Sequence, residues 1–158
     1  MNAAVYRVYR FLICSKTSYS LAKEFGLEFF IQRTILRGDC LEAEELQIVK
    51  LLRHVCMNFD TFDCVSSEIF AILKSKALEV DCKFRLFYIE TLCEMSVTFP
   101  SVVSNYGILK LLLNLLIDGP MEIIPSIVLS ISHLIDSPES RKFFRPQVDL
   151  EVKLLPNF

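Results

Sequence analysis

The sequence contains no tryptophan, and its 158 residues include only two histidines, four glycines and six prolines. Such scarcity of glycine and proline excludes a β-protein with many tight turns, which those residues normally form. No stretch approaches the roughly 18 uninterrupted apolar residues of a membrane-spanning helix, since the longest candidate, Ile108–Ile117, is interrupted by Lys110 and Asn114. Because 53% of the residues are hydrophobic, the sequence predicts a soluble chain whose helices are buried on more than one face.

Charge is also low and evenly spread. The formal net charge is −2, and the 17 basic residues form no stripe with interleaved aromatics, so nucleic acid is excluded as a partner. Residues 1–23 carry basic side chains and no acid before Glu24, which is also the charge bias of a mitochondrial presequence. We favour a helix at Ala3–Cys14 over that alternative, because its apolar residues join the repeat described below.

The sequence contains no recognisable set of catalytic residues. The histidines, His54 and His133, lie far apart in helical patterns with no nucleophile motif around either. Acidic residues cluster only where a helix begins, and there they complement the helix dipole; they are Glu42, Glu44 and Glu45. No glycine-rich phosphate loop or dinucleotide fingerprint is present. The sequence therefore predicts a protein that is not an enzyme, with no catalytic residue and no cofactor.

The cysteines form no metal motif. No C-x-x-C pair occurs, and His54 and Cys56, two apart on a helix, point in different directions. The six cysteines are therefore predicted to be reduced and structural: Cys14, Cys40, Cys56, Cys64, Cys82 and Cys93. The tripeptide Arg37-Gly38-Asp39 matches an integrin-binding sequence, but we interpret it as the end of a helix, with glycine as the left-handed cap.

What the chain does have is an apolar pattern that recurs about every 40 residues. Leu12, Leu52, Leu92 and Ile131 follow one another at steps of 40, 40 and 39. Two further series run beside them, Val8, Ile48, Tyr88 and Ile127, and Tyr9, Val49, Ile89 and Val128. Self-similarity at this period is typical of stacked HEAT or armadillo units, which bury their apolar faces only against their neighbours.

Local signals divide the chain into helices near 3–14, 20–36, 41–57, 64–77, 82–98, 100–105, 107–117, 121–136 and 138–144. Asp81 is predicted to cap the helix at 82–98, and Pro100 to occupy the first turn of the next helix. Phe25-Gly26-Leu27 and Tyr106-Gly107-Ile108 mark equivalent places two periods apart. A short helix before two longer ones favours armadillo over HEAT. In the middle repeat, Val65-Ser66 stands in place of the aromatic–glycine pair. This difference predicts that the first helix of that repeat is irregular.

We therefore predict an all-α, armadillo/HEAT-type right-handed solenoid with about three to four repeats of roughly 40 residues, forming one domain over residues 1–158. A peptide-binding module of the importin or catenin type is the alternative function. Those modules clamp a peptide backbone with asparagines and line the groove with tryptophans. This chain has no tryptophan, and it carries Glu94 and His133 at the asparagine positions. A peptide groove in this chain would therefore lack the asparagine side chains that bind the peptide backbone.

Several segments resemble the N-terminal armadillo region of the Rictor family. The most specific are His133–Pro138 and Arg145–Glu151, whose polar residues helix packing does not dictate. Tyr106–Pro120, Gly26–Ile31 and Gln47–Arg53 are similar to that family as well. The likeness runs from about Ala3 to the C-terminus and is weakest at Phe59–Asp81. Rictor proteins are very long, so the chain resembles a fragment of their solenoid.

The resemblance implies a non-catalytic scaffold of TOR complex 2, whose kinase phosphorylates AGC-family kinases such as Akt. The implied partners are the TOR kinase and the Sin-type subunit. The implied location is cytoplasmic, with recruitment to membranes through the complex. The resemblance assigns no ligand-binding residue to a position in this sequence, because the matching segments are structural.

A fragment should expose the apolar ends of its solenoid. Residues 5–13 are apolar on nearly every side, and residues 143–155 have no following repeat to cover them. Because terminal repeats need a polar outer face, we expect the isolated chain to self-associate and the missing flanking repeats to prevent this. Light scattering on the purified chain measures it; a stable monomer at micromolar concentration would show that the ends are capped.

Overall fold

The computed structural model describes Arg7 and residues 15–37, 41–58 and 61–138. These residues form helices and connecting turns, with no strand among them. The α-helices are α1 (Lys16–Glu24), α2 (Leu27–Arg37), α3 (Glu42–Met57), α4 (Ser67–Leu78), α5 (Arg85–Thr98), α6 (Pro100–Ser104), α7 (Ile108–Asp118) and α8 (Ile124–Asp136). Short 3-10 turns at Phe62–Cys64 and Met121–Ile123 precede α4 and α8. The all-helical prediction is confirmed for this part of the chain.

Several predicted helix boundaries are wrong. The helices predicted at 64–77 and 121–136 begin only at Ser67 and Ile124, each after a 3-10 turn. The single helix predicted at 20–36 is two helices, α1 and α2, because the chain turns at Phe25-Gly26. The helix predicted at 82–98 begins only at Arg85, so Asp81 lies too far upstream to cap it; the backbone at 82–84 makes turns instead. The helix predicted at 3–14 and most of that at 138–144 lie outside the described residues.

Both aromatic–glycine pairs take the same backbone conformation. Gly26 and Gly107 have φ values of +84° and +68°, in the left-handed region, and each directly precedes a long helix. The residue after each glycine is buried, Leu27 at 1% and Ile108 at 0% exposure. A side chain disfavours this conformation, so glycine allows the sharp turn from a short helix into the next one. The equivalence of the two motifs is thereby confirmed, whereas the turn at Gly26 itself was missed by the continuous helix predicted at 20–36.

Replacing Gly107 by alanine should lower the free energy of unfolding by roughly 1–2 kcal/mol, the cost of placing a Cβ in left-handed backbone. No atom lies within 4 Å of the position of that Cβ, so crowding adds nothing. Gly107→Asn is the matched control, because asparagine tolerates this conformation better. Chemical denaturation of both variants checks the prediction; equal losses would contradict the backbone explanation.

The order of elements repeats along the chain. A short helix, a long helix and a second long helix occur as α1–α2–α3 and again as α6–α7–α8. Between them, the 3-10 turn at Phe62–Cys64 takes the place of the short helix before α4 and α5. The irregular first helix predicted for the middle repeat is therefore confirmed. Because the 40-residue series falls on α3, α5 and α8, the same helix of each set carries it.

The chain divides into two compact units, Met1–Leu92 and Cys93–Phe158. In the first, α2 packs against α1, α3 and α4. Its core includes Ile31, Ile48, Leu52, Phe70 and Tyr88, each at most 2% exposed.

In the second unit, α8 packs against α6 and α7. Val103, Leu112, Ile127 and Leu134 are fully buried there. Ile131, a member of the 40-residue series, is also buried, at 8% exposure.

One member of the apolar series is not in a core. Val128 is 53% exposed, although Val49 and Ile89 of the same series are 1% and 0% exposed. Helix α8 buries one narrow stripe, consisting of Ile127, Ser130, Ile131 and Leu134. Val128 lies about 100° around the helix from Ile127, and therefore outside that stripe. The apolar series thus predicts burial correctly for its other described members but not at this position.

A buried polar cluster joins α1, α2 and α4. The Glu28 carboxylate, on a residue that is 7% exposed, accepts a 2.5 Å hydrogen bond from the Tyr19 hydroxyl. The same oxygen accepts one of 3.3 Å from the backbone N–H of Ser66. Lys23 Nζ lies 3.7 Å away. Since Ser66 also caps α4 through its hydroxyl, Glu28 ties the start of α4 to α1 and α2.

Alkaline pH should destabilise the fold through Cys56. Burial raises the pKa of its thiol from 9.0 to about 12, with a smaller contribution from the Glu28 charge. Between these values the unfolded chain loses a proton that the folded chain keeps, so stability falls as pH rises, by up to about 1.4 kcal/mol per pH unit. Urea denaturation between pH 8 and pH 10, below the range in which tyrosine ionises, measures this slope. Cys56→Ala should flatten it and Ile48→Val should not; equal slopes in both variants would contradict the assignment.

Candidate functional site

Helix α3 has one buried side and one side that faces outward. Its buried residues are Ile48, Val49, Leu51, Leu52, Val55 and Cys56. Lys50 is exposed, and Arg53 and His54 are half-buried. Residues three and four apart lie on the same helix face, so these three side chains project together from α3. The repeat pattern itself places them there, because it directs their neighbours into the core.

Helix α5 supplies the opposite wall. Phe87 lies one residue before the buried pair Tyr88 and Ile89. The guanidinium carbon of Arg53 lies 5.2 Å from the centre of the Phe87 ring, within the range of a cation–π contact. Arg53 Nη1 is 3.8 Å from Glu90 Oε2, and the two side chains are 31% and 45% exposed.

Together these residues line an open cleft within the first unit. Lys50, Arg53, His54 and Phe87 surround a volume of about 440 Å³. That volume is in the range of ligand-binding clefts, roughly 300–1,000 Å³. Lys50 and Arg53 provide positive charge, and Phe87 provides an apolar surface. We call this the Arg53 cleft.

The residues considered for catalysis do not come together in the described part of the chain. His54 lines the Arg53 cleft, whereas His133 is exposed in the last turn of α8. The acidic residues Glu42, Glu44 and Glu45 lie in the first turn of α3, which is the helix-dipole position that the sequence predicts. Glu42 also forms an ion pair with Lys83.

Within the described ranges, no three histidine, cysteine or acidic side chains cluster in a way that could hold a metal ion. Four cysteines there are not in disulfides: Cys56 and Cys93 are buried, and Cys64 and Cys82 are half-buried. Cys14 and Cys40, and Gly38-Asp39 of the Arg-Gly-Asp tripeptide, lie outside the described residues. None of the described helices is both long enough and apolar enough to cross a membrane.

Comparison with known proteins decides the family. The family described as "Rapamycin-insensitive companion of mTOR, N-term" matches residues 1–157. The chain belongs to the Rictor N-terminal family. The resemblance inferred from the sequence segments is thereby confirmed, and the match includes the stretch at 59–81 that resembles the family least.

Named relatives of this family come from distant organisms. Target of rapamycin complex 2 subunit ste20 of Schizosaccharomyces pombe is 26% identical over 161 residues, covering 99% of this chain and 12% of the relative. The rapamycin-insensitive companion of mTOR of Homo sapiens is 28% identical over 159 residues, covering 99% of this chain and 9% of the relative. Protein pianissimo A of Dictyostelium discoideum is 24% identical, with 99% and 14% covered. No solved structure matches significantly.

The chain thus spans about a tenth of the length of its relatives in the Rictor N-terminal family.

The Arg53 cleft was not predicted from the sequence. The spacing of Lys50, Arg53 and His54 was a visible signal, since they share a face opposite the buried series. The partner side chains on α5 lie more than 30 residues away along the sequence, and nothing in the pattern pairs the two.

Proposed function

We propose that this chain is a non-catalytic scaffold segment of TOR complex 2. In this proposal it supports signalling by the TOR kinase to AGC-family kinases such as Akt. The observation that carries the proposal is the family match over residues 1–157. A relative that covers 99% of the chain is itself named as a TOR complex 2 subunit.

Exposed apolar side chains support a role in binding other proteins. The described residues form helices that expose apolar side chains, including Phe25 at 87%, Ile117 at 83% and Met121 at 80%. Exposed apolar side chains are candidates for protein contacts when they form contiguous patches. The armadillo-type solenoid arrangement with about three to four repeats also belongs to the proposal. It is supported by the recurring order of one short and two long helices.

The proposed partners are the TOR kinase and the Sin-type subunit, and the proposed location is the cytoplasm. Membrane recruitment would then come through the complex. The partners follow from what the family implies, and the described helices offer surfaces to which such subunits could dock.

Depleting the gene product tests the signalling role. We expect TOR-dependent phosphorylation of an AGC kinase to fall, and expression of the wild-type gene to restore it. Leu92→Ala, which removes a fully buried side chain, should restore less. Lys110→Gln is the matched control, because Lys110 is exposed, and it should restore phosphorylation fully. Unchanged phosphorylation after complete depletion would contradict the proposal.

A further inference from the structure

We propose that the turn between α7 and α8 binds a short segment of a protein partner that carries both basic and apolar side chains. This turn, residues 117–122, lies within the second unit, and we call it the α7–α8 turn. The inference rests on the proposed scaffold role for its setting. It adds to that role a surface and the chemistry of the segment that the surface binds.

The first argument is the apolar surface that the turn exposes. Ile117 and Met121 are 83% and 80% exposed, whereas Ile123, two residues further along, is buried at 5% exposure. Leu113 is exposed as well, and it lies four residues before Ile117 on the same face of α7. Neighbouring exposed apolar side chains form the kind of patch that indicates a protein contact.

The second argument is the negative charge beside that surface. Asp118 and Glu122 directly follow the two most exposed apolar residues, and both are exposed themselves. Within the part of the chain that the structure describes, neither carboxylate forms an ion pair or a hydrogen bond. Lys110 is the basic residue of α7, and it lies about two helical turns from Asp118. The turn therefore presents an apolar surface beside two unpaired carboxylates.

The third argument is the position of Asp118 in the last turn of α7. The carboxyl end of a helix carries partial negative charge, so a carboxylate is unfavourable there and a cation is favourable. The last turn of α7 contains no basic residue. A lysine or arginine from a partner would offset both the Asp118 charge and the helix end, and it would donate hydrogen bonds to the last carbonyl groups.

The turn also holds its exposed residues in a fixed arrangement. The backbone N–H of Gly119 donates a 2.8 Å hydrogen bond to the Leu115 carbonyl. The ring of Pro120 fixes its φ, which is −62°, and the N–H of Ile123 donates to the Pro120 carbonyl at 3.3 Å. A surface that is ordered before binding loses less conformational entropy when a partner docks.

Charge and size select the occupant. Asp118 and Glu122 would repel the phosphate groups of an anionic lipid surface or a nucleic acid, and they would attract lysine and arginine side chains. A standard interface buries about 800 Å² on each partner. Three exposed aliphatic side chains fall short of that area, because each covers less than the roughly 150–250 Å² of an aromatic one. The occupant is therefore a short basic and apolar segment, not a second folded copy of this chain.

Fluorescence anisotropy with a labelled peptide of leucine and lysine tests the inference on the full chain. We expect saturable binding that weakens with added salt, and no binding of a peptide in which glutamate replaces lysine. Asp118→Asn should weaken binding by roughly two- to fivefold, the range of an exposed ion pair. Asp81→Asn removes an exposed carboxylate from the first unit and should leave binding unchanged.

Ile117→Ala should weaken binding by roughly fivefold, because it removes an apolar anchor. Leu36→Ala is the matched control, since Leu36 is 66% exposed but lies on α2 in the first unit. Equal binding of the two peptides, or equal weakening by each variant and its control, would show that the α7–α8 turn is not the binding surface and would overturn the proposal.

A stability measurement separates docking from a structural role of Asp118. Because the helix dipole disfavours this carboxylate, Asp118→Asn should leave the urea midpoint of unfolding unchanged or raise it, even though peptide binding weakens. A lower midpoint would overturn the proposal, and so would loss of self-association in Ile117→Ala, which would assign the surface to a second copy. Capture of the wild-type product without TOR kinase, with peptide binding intact, would refute the scaffold role and support docking at this turn.

Discussion

Replacing Leu92 by alanine should lower the free energy of unfolding by about 2–5 kcal/mol, as for other buried leucines. Leu92 is 0% exposed and lies on α5 in the 40-residue series. The substitution removes buried apolar surface and leaves a cavity in a core that can collapse only partly. Denaturant-induced unfolding followed by circular dichroism measures the loss.

Val128→Ala is the matched control, because Val128 belongs to the same apolar pattern but is 53% exposed. We expect this substitution to change the free energy of unfolding by about 0.5 kcal/mol or less. Similar losses at Leu92 and Val128 would contradict the burial that distinguishes them, and with it the packing of α8 described above.

Removing the Glu28 carboxylate should produce the second large effect. Glu28→Ala leaves the buried Tyr19 hydroxyl without the carboxylate that accepts its 2.5 Å hydrogen bond, and it leaves the Ser66 N–H without its acceptor. A buried donor that loses its partner costs about 1–3 kcal/mol, and the half-buried Ser66 N–H should add less, so we expect a loss of roughly 1–4 kcal/mol. Glu28→Gln keeps an acceptor oxygen and should cost less.

A double-mutant cycle isolates the interaction between the two side chains. Tyr19→Phe combined with Glu28→Ala should show a coupling of about 0.5–3 kcal/mol, the range for residues in one hydrogen-bond network. The surface pair Lys76 and Glu79, 2.8 Å apart with side chains 16% and 48% exposed, is the control and should couple by less than about 1 kcal/mol. A coupling near zero for Tyr19 and Glu28 would show that their contact does not stabilise the fold.

The ionisation of Tyr19 makes the stability contributed by this cluster depend on pH. Burial and the hydrogen bond to Glu28 raise the pKa of Tyr19 well above its ordinary value of 10.0. Above that value the unfolded tyrosine loses its proton while the folded one keeps it, so the stabilisation is complete below about pH 10 and declines as pH rises further. Tyr19→Phe should therefore reduce the alkaline loss of stability.

The sequence pattern predicted the regular parts of this fold because they repeat. The two aromatic–glycine pairs share a left-handed glycine, since the same turn is needed before α2 and α7. The buried residues of α3 and α5 recur at fixed spacing because each helix turns the same side inward. The 40-residue period reflects the burial of the same helix side in each repeat, and this period can be detected in a single sequence.

What could not be predicted depends on particular neighbours. Val128 fits the apolar series, but α8 buries only a narrow stripe and leaves it exposed. The bond between Tyr19 and Glu28 depends on the turn at Gly26, which the predicted continuous helix omitted. The contact of Arg53 with Phe87 joins two helices far apart in sequence, and no residue pattern specifies such a pair.

Affinity capture of the tagged gene product from its own cells tests the central claim most directly. The account predicts that the TOR kinase and the Sin-type subunit are recovered with it, and that capture of the TOR kinase in turn recovers this protein. Leu92→Ala should reduce that recovery and Lys110→Gln should not. Efficient capture of the wild-type product without any TOR kinase, or with importin-type cargo instead, would contradict membership of TOR complex 2.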